Sequence, residues 1–131
     1  MPTIRVPFTI TARPSDSEGA DDVPVVGVTT FDKLFPGPSL TGTSVVQMVS
    51  ALGGAGPLAY VALERVEGNL DGVSGAFVLQ HLGRIVAGVP SLALEVVDGS
   101  GTGGLAQLSG SGTIEHTGEG AFLTLAYSLP T

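Results

Sequence analysis

Residues 58–82 read LAYVALERVEGNLDGVSGAFVLQHL, and their spacing decides the fold. From Leu58 to Val66 the side chains divide by parity, with Leu58, Tyr60, Ala62 and Glu64 on one face and Ala59, Val61, Leu63 and Arg65 on the other. A period of two is that of extended chain. Gly68-Asn69 supplies a turn, and Leu70 to Leu82 is read as the returning strand of a hairpin.

The same pattern extends outward from this hairpin. Ile4, Val6, Phe8 and Ile10 alternate with Thr3, Arg5, Thr9 and Thr11 in a first strand. Residues 13–24 mix breakers with Asp16, Glu18, Asp21 and Asp22, which predicts an exposed loop. Val25 to Phe35 is rich in β-branched and aromatic residues and stops at Pro36-Gly37-Pro38. Thr41 to Leu52 partly satisfies a helical spacing, but its β-branched content and glycine boundaries favour a strand. Ser91 to Val97, Gly110 to His116 and Ala121 to Leu129 are further strands, with the glycine-rich connection 99–104 between the first two. About eight short strands separated by Gly and Pro make an all-β domain, a sandwich or an antiparallel closed barrel. Closure removes edge strands, and a barrel of about eight has room for its own side chains or for one small ligand.

A chain of 131 residues with 43% hydrophobic and 13% charged side chains is long enough for one core and too short for two, so one domain over 1–131 is expected. The net charge of −7 opposes a phosphate backbone or an anionic membrane surface. Nucleic acid and membrane are therefore not expected partners. With no cysteine, neither disulfides nor thiolate chemistry contributes. Residues 1–20 contain no apolar stretch of the signal-peptide kind, and a cytoplasmic protein is the expectation.

Several motifs carry a family resemblance. They are Gly42-Thr43-Ser44 with Gln47-Met48, Tyr60 with Glu64-Arg65-Val66-Glu67-Gly68, and residues 75–81, Gly-Ala-Phe-Val-Leu-Gln-His. Residues 99–103, residues 105–112 and Tyr127 complete the set. In these the chain resembles domain-of-unknown-function family 3224, bacterial proteins that look like the allene oxide cyclase barrel. The resemblance covers roughly two thirds of the chain. It implies a closed antiparallel barrel related to allene oxide cyclases and dirigent proteins, and a homo-oligomer, dimer or trimer. It brings no established activity.

Tyr60 and Glu64 share a face of one strand, and Phe77, Leu79 and His81 share a face of the strand read as its partner. If both faces point inward, a carboxylate and an imidazole meet in apolar surroundings, where burial and pairing shift their proton affinities toward acid–base work. Glu64 and His81 are thus the candidate catalytic pair, with Tyr60, Gln47, Phe77, Met48 and Tyr127 as candidate ligand-binding residues. The plainer alternative is a structural hydrogen-bonded pair. Met48 also reads as core filler, and Tyr127 as a ring packed inside with its hydroxyl at the rim. Glu95 is expected on the surface.

Other chemistries find little support. Residues 99–104 match G-x-G-x-x-G formally, but no helix follows, so the stretch is read as a turn. The lone lysine, Lys33, follows Asp32 in a strand and cannot serve a phosphate loop. Gly72-Val73-Ser74-Gly75-Ala76 is no nucleophile elbow. Two histidines far apart, His81 and His116, make no zinc site. The sequence therefore predicts a barrel that binds a hydrophobic small molecule without cofactor or metal and acts as a cyclase or isomerase template. Its rival is a non-catalytic oligomeric scaffold or ligand carrier with a filled interior.

Overall fold

The computed structural model describes residues 2–14, 25–53 and 56–130. These residues form nine strands: β1 (Thr3–Ala12), β2 (Val25–Pro36), β3 (Leu40–Gly53), β4 (Gly56–Leu70), β5 (Val73–Val86), β6 (Val89–Val96), β7 (Thr102–Gly103), β8 (Ser109–Thr117) and β9 (Gly120–Ser128). The described residues form no helix, and 41–52 is a strand as its composition requires. Of the acidic loop read over 13–24, residues 15–24 lie outside the described residues.

All pairings are antiparallel. They run β1-β2-β3-β4-β5-β6-β8-β9, and β9 pairs with β1 again, so eight strands close into a barrel. The two-residue β7 is an extra piece. It pairs with the start of β5 (Ala76 with Thr102, Gly75 with Gly103), while β6 pairs with its end from Leu79 onward. The gap between them is bridged at Val78. Its carbonyl accepts from Val97 N at 2.9 Å, and its N–H donates to Ser100 Oγ at 3.0 Å. A serine hydroxyl stands there in place of a strand carbonyl, which keeps β5 bonded along that side.

The hairpin of β4 and β5 is present, but its turn falls later than Gly68-Asn69. Leu70 pairs with Val73 around the two-residue loop Asp71-Gly72, where both residues have positive φ, 46° and 92°. An Asp-Gly pair is the favoured chemistry for such a turn. Asn69 contributes from outside it, its Oδ1 accepting from Gly72 N at 2.8 Å. Gly68 serves a different purpose. It faces Gly42 across β3 and β4, and a Cβ on Gly68 would lie 2.1 Å from the Thr41 carbonyl oxygen. Only glycine permits backbones that close.

Parity sends one set of side chains inward from every strand. At the end bearing the β4–β5 turn the interior is solid, filled by Phe35, Leu40, Val66, Leu70, Phe77, Leu105, Leu125 and others, with Phe8 and Phe35 rings 5.8 Å apart between centroids. Tyr127 belongs to this plug. Its ring is buried and its hydroxyl donates to the Asp71 carboxylate on the turn. That hydrogen bond, then burial and the charge of Asp71, push the phenol up to about 12. The other tyrosine, Tyr60, is raised by burial. Alkaline titration followed by phenolate absorbance should therefore show neither tyrosine ionising at the ordinary value of 10. Because the folded state favours the protonated phenol, the Tyr127 contribution is whole below 10 and disappears as pH rises through about 12. Tyr127→Phe should remove that loss. A step at 10 accounting for both residues would disprove the buried hydrogen bond.

Candidate functional site

Above the plug the barrel opens into a cavity of about 540 Å³. Its walls are apolar side chains delivered by parity from successive strands: Phe8 and Ile10 of β1, Phe31 of β2, Val46 and Met48 of β3, Ala62 of β4, Leu92 of β6 and Ile114 of β8. Tyr60 lines it too, its ring lying over Gly83 of β5, where a Cβ would stand 2.0 Å from Tyr60 Cε1.

The boundary between cavity and plug is polar. Strand register places Lys33 opposite Ser44, Val46 opposite Glu64 and Ala62 opposite His81, all on the inner face. Glu64 is completely buried, His81 is 4% exposed and Lys33 7%. Glu64 Oε1 accepts from Lys33 Nζ at 3.1 Å and from His81 Nε2 at 2.8 Å, while Oε2 accepts from Ser44 Oγ at 2.5 Å. Lys33 Nζ also lies 4.4 Å from the centre of the Phe8 ring. Lys33 and His81 line the cavity, and Glu64 sits behind them.

Burial alone would drive the Glu64 carboxyl up. The hydrogen bond from His81, the charge of Lys33 and the Ser44 hydroxyl outweigh it and hold the group below its ordinary value. Glu64 is thus an anion at neutral pH. An ionised carboxylate only accepts, so the proton of the bond to His81 belongs to Nε2, and Nδ1 is the basic nitrogen of the neutral ring.

Counting faces thus brings Glu64 and His81 together, and it puts Tyr60 and Met48 on the cavity wall. Three other expectations are corrected. Gln47 is on the outer face, where its Oε1 accepts from Thr30 Oγ at 2.8 Å; its neighbours Val46 and Met48 hold the inward positions. Phe77 and Tyr127 do point inward, but into the plug, below the cavity. Glu95 is exposed, as expected. Two site residues escaped the sequence reading, Lys33 and Ser44. The signal for Lys33 was its place between the inward aromatics Phe31 and Phe35, two residues away on either side. Among the described residues no cluster of His, Cys, Asp or Glu could hold a metal ion, and no helix is long and apolar enough to cross a membrane.

No curated protein matches this chain. A family model described as "Protein of unknown function (DUF3224)" matches residues 4–128. The crystal structure of a protein with unknown function from the DUF3224 family of Shewanella oneidensis MR-1 superposes with a TM-score of 0.84 at 31% identity, covering 100% of this chain and 98% of that one. The match runs from the first inward residue of β1, Ile4, to the last residue of β9, so it takes in the barrel together with its polar floor, and the chain belongs to the DUF3224 family.

Proposed function

We propose that the barrel binds a small hydrophobic molecule in its open half and moves a proton on it without a cofactor, as an isomerase or cyclase does. The observation that carries this reading is the floor: an imidazole and an ammonium, both held by one buried carboxylate, at the bottom of an apolar cavity. About 540 Å³ is in the range of small-molecule sites, roughly 300–1,000 Å³. A filled interior would have favoured a scaffold, and only the lower half is filled.

In this reading His81 is the group that takes and returns a proton. Glu64 is a positioning residue that fixes the ring and balances the imidazolium as it forms. Lys33 offers a positive charge to an oxygen that becomes negative, such as a carbonyl passing to an enolate. The proton leaves carbon for His81, the electron pair moves to oxygen beside Lys33, and return of the proton to another carbon completes an isomerisation with all atoms conserved.

Two measurements test the proposal. N-phenyl-1-naphthylamine, an uncharged fluorescent probe, should bind the wild type and bind at least tenfold more weakly to Met48→Trp, whose ring narrows the cavity, with melting temperature little changed. In D2O, the wild type should accelerate α-hydrogen exchange of 2-decanone by about 100-fold or more over free imidazole. His81→Gln should lose that acceleration while still binding the probe. Exchange no faster than with imidazole would overturn the proton-transfer reading and leave a carrier; failure of the wild type to bind the probe would overturn the cavity reading.

A further inference from the structure

The chain has twelve acidic side chains against five Lys or Arg and two His, yet its cavity reverses that balance. Four of the seven basic residues line it: Lys33, His81, Arg84 and His116. No Asp or Glu does.

The pairing of charges is equally uneven. The three basic residues elsewhere each sit against an exposed carboxylate, Arg5 with Glu115, Arg13 with Asp32 and Arg65 with Glu67. At the mouth, Arg84 of β5 and His116 of β8 have no carboxylate partner among the described residues. At the floor, Lys33 and His81 share the single charge of Glu64, and both reach the same oxygen, Oε1. Lys33 and His81 face the cavity while Glu64 sits behind them, so the positive end of the pair is turned toward a ligand in a site screened from water, where it attracts an anion far more strongly than at the surface. The walls between floor and mouth are apolar, and they exclude a small hydrated ion as the natural occupant.

From this distribution we infer that the ligand is an amphipathic anion, an apolar body carrying one acidic group, with the acid seated on Lys33, His81 left beside it to exchange a proton with the adjoining carbon, and the body along the wall toward Arg84 and His116. The inference rests on the cavity reading above and adds the charge and orientation of the occupant. Arg84 and His116 draw the anion to the mouth, and the floor holds it. The shared chemistry is an anionic oxygen group, carboxylate or sulfonate, on a hydrophobic frame.

A matched pair of dyes separates this inference from the reading on which it rests. 8-Anilinonaphthalene-1-sulfonate has the frame of N-phenyl-1-naphthylamine with one sulfonate added. The sulfonate is expected to bind the wild type at least tenfold more tightly than the neutral dye. Lys33→Met should erase that advantage while the neutral dye still binds, which also reports that the variant is folded. Should Lys33→Met not fold, Ile114→Glu keeps the test open: a carboxylate planted in the wall should expel the sulfonate and leave the neutral dye. Arg84→Gln should keep most of the advantage. Equal affinities for the two dyes in the wild type would overturn the anion and leave the cavity reading standing. An advantage lost in Arg84→Gln and kept in Lys33→Met would overturn the floor as the anion's seat. If neither dye binds, both readings fall.

Discussion

Glu64→Ala should lower folding stability by about 3–5 kcal/mol, the usual loss when one partner of a buried ion pair is removed. The substitution strands Lys33 and His81 in the interior without an anion and leaves Ser44 without its acceptor. A typical domain has only about 5–15 kcal/mol in total, so the variant should melt far below the wild type. The double substitution Lys33→Met with Glu64→Gln removes both formal charges of the pair and should recover most of the loss, because neither charge is then left buried without its partner. Chemical denaturation of Lys33→Met, Glu64→Gln and their double at neutral pH gives the coupling directly. Losses that simply add would deny that the pair acts as a unit.

The acid side of the stability curve follows from the same group. Glu64 ionises below the ordinary 4.5 in the folded protein. Its contribution is therefore whole above that value and is lost as pH falls through the lower, folded one. Glu64→Gln should flatten that part of the curve relative to wild type, and a wild-type curve already flat there would contradict the depressed value.

The second large effect is expected at Gly68. An added methyl would meet the Thr41 carbonyl oxygen at 2.1 Å and Gly42 Cα at 2.9 Å, both rigid backbone in a paired strand. Neither neighbour is the tip of a flexible side chain, so β3 and β4 must separate. Gly68→Ala should cost about 3 kcal/mol, the upper end for overpacking. Gly118→Ala, where nothing lies within 4 Å and φ is not positive, is the control and should change stability by no more than about 0.5 kcal/mol. Similar losses at both positions would show that the close approach is not what glycine provides at 68.

Much of this barrel was legible because a side-chain period of two is a local property. The strands β1, β4 and β9 alternate visibly, and parity put Glu64 and His81 on faces that meet if both turn inward, while the inward direction itself came from the closed sheet. Gly68 was misread as a turn because glycine serves both loops and close strand contact, and only the partner strand tells which. Lys33 lies 31 residues from Glu64, and their contact depends on the registers of β2 with β3 and of β3 with β4. A lone lysine between inward aromatics indicated an interior charge without indicating its counter-ion. Gln47 carried its own correction, since it neighbours Met48 and cannot share its face. The boundary between plug and cavity was not legible, because it depends on how far each inward side chain reaches.

One consequence concerns the seam on β5, where β6 ends and β7 begins. A barrel resists invasion by a foreign strand only while every rung is occupied, and here a single rung is supplied by a side chain, the Ser100 hydroxyl on Val78 N. Backbone hydrogen bonds hold both sides of that rung, so a chain attempting to add there would find one donor, too short a template for exchange of strands between molecules or for growth of a fibre. The lock is local, and the opposite end of the barrel stays open.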